Sequence, residues 1–142
     1  MSFQAQEMMT EIQRKDFLNM IGKSDIPSGN WFAVCLLIPT EWLHELNLSD
    51  SLAERIIEYG KSILYALPDG SFARIGWSSY FCIVRAGESE IRDILVSQIV
   101  TMESQEPKCS LWRFSIMKIG TRPSQEVFTE LEWRTHENSR ER

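Results

Sequence analysis

Few residues in this chain could do chemistry, and they are scattered. Cys35, Cys82 and Cys109 lie far apart with no C-x-x-C pair. Cys35 and Cys82 each sit inside an apolar run, so they read as small buried hydrophobes of a reducing compartment. His44 and His136 have no second His or Cys at ligand spacing, which leaves them as surface or capping residues rather than zinc ligands. Ser78 and Ser79 place two hydroxyls side by side, but there is no G-x-S-x-G elbow and no glycine-rich phosphate loop. They read as turn formers that hydrogen-bond their own backbone. That leaves Trp31, Trp42, Trp77, Trp112 and Trp133, more tryptophan than a small core ordinarily needs. Core packing accounts for Trp31 and for one of Trp112 and Trp133. Trp77, at a hairpin tip and followed closely by Tyr80, is instead the kind of aromatic anchor found at interface centres.

Those residues must be held by a framework, and the composition bounds what it is. The chain has 142 residues, 43% of them hydrophobic and 25% charged, which suits one globular domain with a real core. A net charge of −5 gives no overall attraction to nucleic acid, and no local basic stripe supplies one. The start of the sequence lacks a basic region followed by an apolar stretch, so no signal peptide is expected. The longest apolar run, 31–38, is too short to insert in a membrane. The expectation is a soluble cytoplasmic protein.

Apolar periodicity predicts an amphipathic helix over 8–21, through Met8, Met9, Ile12, Phe17, Leu18, Met20 and Ile21, with Gly22 as its stop. Residues 31–38 are apolar without alternation, the profile of a central strand buried on both faces. A short helix over 40–46 follows. A longer one over 51–66 has Leu52, Ile56, Ile57, Ile63 and Leu64 on its apolar face and Ser49 or Asp50 as cap. Pro68-Asp69-Gly70 is a turn. Residues 72–75 and 80–85 form a hairpin, 88–102 a helix, 108–119 a strand and 124–133 a last helix. A single domain over 1–135 results, with 136–142 as a frayed tail. This order predicts an α+β fold, helices on a mainly antiparallel sheet, with a ferredoxin-like β-α-β-β-α-β core.

The hairpin reads Ala73-Arg74-Ile75-Gly76-Trp77-Ser78-Ser79-Tyr80-Phe81-Cys82-Ile83-Val84. It resembles the signature of GGDEF domains, the diguanylate cyclase family, in which Ala-Arg-Ile-Gly-Gly-Asp-Glu-Phe precedes an apolar strand. Residues 9–17 are similar to the family's Leu-Thr-Gly-Leu-x-Asn-Arg-Arg-x-Phe opening with one residue missing. The strand to Ile38 followed by Trp42 is similar to its Asp-x-Asp-x-Phe-Lys segment, and Phe114-Ser115-Ile116 to its later Ser-Ile-Gly strand. The family's C-terminal Ala-Leu-Tyr helix is not recognisable over 124–133.

What the resemblance implies is a cyclase frame without its chemistry. Two-metal phosphoryl transfer needs hard anionic oxygens to hold Mg²⁺ on a triphosphate. The aligned metal positions are Ile38, Thr40, Ser78 and Ser79, none of them acidic. Trp77 replaces the second turn glycine and would fill the space phosphates use. The guanine-reading positions fall near Leu46 and Asn47. The inhibitory Arg-x-x-Asp site falls at Leu67 and Gly70, with Asp69 one position off. The degenerate signature is thus Gly76, Trp77, Ser78, Ser79 and Tyr80, with no catalytic, metal or cofactor-binding residue and no cofactor. The resemblance points to a non-enzymatic bacterial regulatory module that binds another protein, such as a cyclic di-GMP signalling component, through Trp77, Tyr80 and Trp42. A homodimer is an option; nucleic acid and membrane are not expected partners. Two alternatives are a receptor that binds GTP or cyclic di-GMP without turnover and an unrelated ferredoxin-like enzyme.

Overall fold

In a computed structural model, residues 9–22, 31–38, 50–75, 79–119 and 124–140 are described. They form five strands and four α-helices. In chain order these are β1 (Met9–Glu11), α1 (Arg14–Gly22), β2 (Trp31–Leu37), α2 (Asp50–Tyr65), β3 (Gly70–Ile75), β4 (Ser79–Arg85), α3 (Glu88–Glu103), β5 (Arg113–Lys118) and α4 (Ser124–Arg140). The sheet order is β1-β3-β4-β2-β5. All neighbours are antiparallel except β1 and β3. The strands β2, β3, β4 and β5 with helices α2 and α3 form the ferredoxin-like β-α-β-β-α-β unit, and β1 extends it. The expected α+β architecture is therefore the one found.

Helices cover both faces of the sheet, which explains the unbroken apolar run of β2. Phe32, Val34 and Leu36 face a core shared with Ile56, Ile63 and Leu64 of α2 and Ile91, Leu95 and Ile99 of α3. Trp31, Ala33 and Cys35 face the opposite core, with Phe17 and Ile21 of α1 and Val127, Phe128 and Leu131 of α4. With a pleat period of two and cores on both sides, no position in β2 is left for a polar residue. Phe128 anchors the second core, its ring 5.7 Å from Phe17 and 5.2 Å from Phe81.

Three expectations are corrected. Residues 9–11 are a strand, not helix. Their apolar spacing suits either structure, but β3 would otherwise present an unpaired edge. Met9 pairs with Gly70 and Glu11 with Phe72, the Ile12 amide donates to the Phe72 carbonyl at 2.9 Å, and Glu11 meets Lys61 at 3.1 Å. Residues 107–111 are a 3-10 helix rather than the start of β5. Pro107 cannot donate to a ladder, and the Glu106 carboxylate caps the turn by accepting from the Lys108 amide at 3.1 Å. Finally, α4 runs to Arg140, beyond the end at 133 expected for this helix. The predicted helix over 40–46 lies outside the described residues.

Candidate functional site

The hairpin of β3 and β4 begins at a turn that the sequence marks clearly. Asp69 has φ 29° and Gly70 φ 140°, and the Asp69 carboxylate holds the Arg85 guanidinium at 2.6 Å across the base of the hairpin. That guanidinium also lies 5.8 Å from the Trp31 ring centroid. So Asp69, one position from the aligned inhibitory aspartate, pairs with an arginine. It comes from β4 rather than from the local sequence. Leu67, at the aligned arginine position, is buried in the core.

At the other end, Ile75 pairs with Ser79, and the tip residues Gly76, Trp77 and Ser78 lie outside the described residues. Ser79 is 2% exposed, and its hydroxyl donates to the Ile75 carbonyl at 3.2 Å. Ile38, at the aligned metal position after β2, is packed among the α2-side core residues. Trp42, Thr40, His44, Leu46 and Asn47 lie outside the described residues.

Tyr80 corrects an expectation. The sequence places it among the partner-binding aromatics, yet its side chain is fully buried. Alternation along β4 turns it toward α2, where its hydroxyl donates to the Ile57 carbonyl at 3.1 Å. Its ring lies edge-on to Phe72, with centroids 6.0 Å apart, and over Gly60, where a β-carbon would stand 2.5 Å from it. Burial pushes the phenol well above its ordinary range. Tyr80 thus ties the hairpin to α2 and is not available to a partner.

The remaining chemistry is muted. Burial pushes the Cys35 thiol up to about 12 and the Cys82 thiol well above its ordinary 9.0. Neither is a thiolate near neutrality, so neither is a nucleophile. The described residues contain no group of three His, Cys, Asp or Glu side chains that could hold a metal ion. No helix among them is long and apolar enough to cross a membrane. Sequence reading puts one of Trp112 and Trp133 in the core without saying which. Trp133 is 64% exposed on α4, while Trp112 is the tryptophan taken into the core. Helical phase carried that signal: Trp133 lies opposite the stripe of Val127, Phe128 and Leu131.

The class that these elements define is an α+β domain with a ferredoxin-like core, extended by a parallel edge strand and enclosed by helices on both faces. No protein-family profile matches the sequence, and no curated protein matches it. Solved structures do. A microbial GGDEF domain described in an interaction with bis-(3′,5′)-cyclic di-GMP superposes with a TM-score of 0.65 at 14% identity, covering 89% of this chain and 83% of that one. The S helix–GGDEF–EAL portion of Vibrio cholerae LapD, bound to cyclic di-GMP, superposes with a TM-score of 0.55 at 14% identity. That match covers 78% of this chain and 27% of the LapD chain. The fold of this chain is GGDEF-like.

Proposed function

We propose that this chain is a GGDEF-like domain that makes no cyclic di-GMP and acts as a protein-binding regulatory module in bacterial, cytoplasmic cyclic di-GMP signalling. One observation carries the reading. Where a cyclase needs carboxylates, Ile38 is buried in the core, and the Ser79 hydroxyl is committed to the Ile75 carbonyl. An aliphatic side chain cannot ligate Mg²⁺, and a neutral hydroxyl brings none of the negative charge a divalent site requires. The test is incubation of the purified chain with GTP and Mg²⁺, followed by chromatography for cyclic di-GMP. No product is expected, and turnover at an ordinary enzyme rate would overturn the reading. Trp77 and Trp42 form the proposed partner-binding patch, now without Tyr80. Trp77→Ala should weaken partner binding by about 2 kcal/mol or more, as for a central anchor.

A second reading is a receptor that binds cyclic di-GMP without turning it over. It is supported by the two similar GGDEF structures, both described with that nucleotide. Calorimetry with cyclic di-GMP and with GTP, each with and without Mg²⁺, separates the two readings. Saturable heat at micromolar nucleotide favours the receptor, and none at millimolar nucleotide removes it.

A further inference from the structure

Among the described residues, β5 forms one edge of the sheet, with β2 as its single neighbour. Just past β5 the Ile119 amide donates to the Trp31 carbonyl at 3.0 Å, which fixes the phase of the ladder. In an antiparallel pair, backbone groups turn toward a given neighbour at every second residue. Ser115 and Met117 are in phase with Ile119, so they bond to Cys35 and Ala33 of β2. Phe114, Ile116 and Lys118 direct their N–H and C=O groups away from the sheet. No backbone group among the described residues meets them there. Such edges are ordinarily blunted by proline, a bulge or charge. β5 has no proline, and its one-to-one register with β2 leaves no bulge. The Arg113 guanidinium is turned back onto the carbonyls of Ser110, Leu111 and Trp112, at 3.4, 3.1 and 3.4 Å. Lys118 is the one exposed charge left on the strand.

The surroundings of the edge select its occupant. Helices cover β5 on both faces. Ile116 lies in the core with Ile91, Leu95 and Ile99 of α3, and Met117 in the core with Val127, Phe128 and Leu131 of α4. A strand added beside β5 needs cover on both faces as well. An isolated peptide brings none, whereas a second copy brings its own α3 and α4. β5 is also complementary to itself. Outward residues must face outward residues, and antiparallel pairing about a two-fold axis at Ile116 is the register that engages all three, with both hydrogen bonds of each pair made. Phe114 then faces Lys118, Ser115 faces Met117 and Ile116 faces its own copy, so no like charges stand opposite one another. Arg92, 5.9 Å from the Phe114 ring centroid, is already paired with Glu88.

We propose that β5 is a homodimerisation edge, pairing antiparallel with β5 of a second copy about a two-fold axis at Ile116 and joining the two five-stranded sheets into one. Neither the GTP assay nor the nucleotide titrations bear on this edge, so the functional reading and the dimer can fail separately. Sedimentation equilibrium across micromolar to millimolar protein tests it, and the native chain should show a reversible monomer–dimer equilibrium. Amide exchange read residue by residue over the same range gives the signature. The Phe114, Ile116 and Lys118 amides should exchange fast in dilute protein and slow as the dimer forms, while Ser115 and Met117, bonded to β2, stay protected throughout. Lys118→Pro deletes an outward donor and no ladder bond within the chain, and it should raise the dissociation constant about tenfold or more. Lys118→Ala keeps that donor and should associate as the native chain does. Circular dichroism checks that both variants remain folded. A monomer at every concentration overturns the proposal, as does a dimer in which the three outward amides stay fast. So does a dimer indifferent to Lys118→Pro, one weakened equally by Lys118→Ala, or an edge covered only by a strand of a different protein.

Discussion

At the scale of single residues, the contact between Tyr80 and Gly60 makes the sharpest stability prediction. A methyl group added at Gly60 would stand 2.5 Å from Tyr80 Cε2 and 3.1 Å from Trp112 Cη2. Neither ring can yield cheaply. Both side chains are buried, and the Tyr80 hydroxyl is held at Ile57. Gly60→Ala should therefore destabilise by about 1–3 kcal/mol through overpacking, more than the ~1 kcal/mol that alanine returns in helix propensity. Denaturant titration followed by circular dichroism measures the difference. Tyr80→Phe should cost only about 1 kcal/mol, the net worth of one hydrogen bond. Cys35 gives a pH prediction. Its folded-state value of about 12 exceeds the ordinary 9.0, so the folded chain holds the thiol proton more tightly. Its contribution is complete below about pH 9 and is lost as pH rises toward 12. Stability should fall across that window, and a thiol reagent at pH 8 should label the cysteines only after denaturation. The sequence conveyed the cysteines correctly, because an apolar neighbourhood is local information. It misplaced Tyr80, because exposure depends on which helix crosses the hairpin. It left Trp112 and Trp133 unresolved for the same reason.

Among the elements, β1 depends on the turn that starts β3. Gly70 sits at φ 140°, and a methyl group there would run into the Ile83 carbonyl and approach Met9 Sδ at 3.2 Å. Gly70→Ala should cost about 3 kcal/mol or more, through backbone strain and the clash together. It should also raise amide exchange at Ile12, whose amide donates to Phe72, before the rest of the sheet opens. Hydrogen exchange read residue by residue checks both effects, and uniform exchange across the sheet would contradict the second. Element type was legible wherever periodicity was long, as in α2 and α3. It was ambiguous over 9–11, where three residues are too few to distinguish a period of two from one of 3.6. Over 107–111 the decisive signal was Pro107, which argues against a ladder position. In α4, composition beyond Trp133 looked like a solvated tail, and nothing local to that segment marks it as helix.

For the whole molecule, the proposed reading predicts that placing acids at Ser78 and Ser79 yields no cyclase, because helices enclose both faces of the sheet. Ser78→Asp with Ser79→Glu would place a carboxylate where Ser79 is now 2% exposed, while Ile38 stayed in the core. On that reading the double variant should show no cyclase activity, and it should be less stable than the parent, since an unpaired buried charge is costly. The GTP assay together with thermal unfolding checks both outcomes. The architecture was readable because β-α-β-β-α-β order and a two-sided apolar strand together leave few topologies. Less was readable at the candidate site. A site is a meeting of side chains from distant segments, as when Arg85 reaches Asp69.

The position of β2 bears on how the chain is made. Its partners are residues 79–85 on one side and 113–118 on the other. A ribosome therefore releases the most apolar strand long before either neighbour exists. During that interval Trp-Phe-Ala-Val-Cys-Leu-Leu is an uncharged extended segment with two open edges, the profile of an aggregation nucleus. Only the emergence of β5 closes its second edge, so the nascent chain should lean on chaperones until that strand has left the ribosome. A chain ending at Glu106 retains β4 but lacks β5, and it should pellet on expression where the full chain stays in solution. Cooperative unfolding of that fragment as a dispersed monomer would show that β2 is protected some other way.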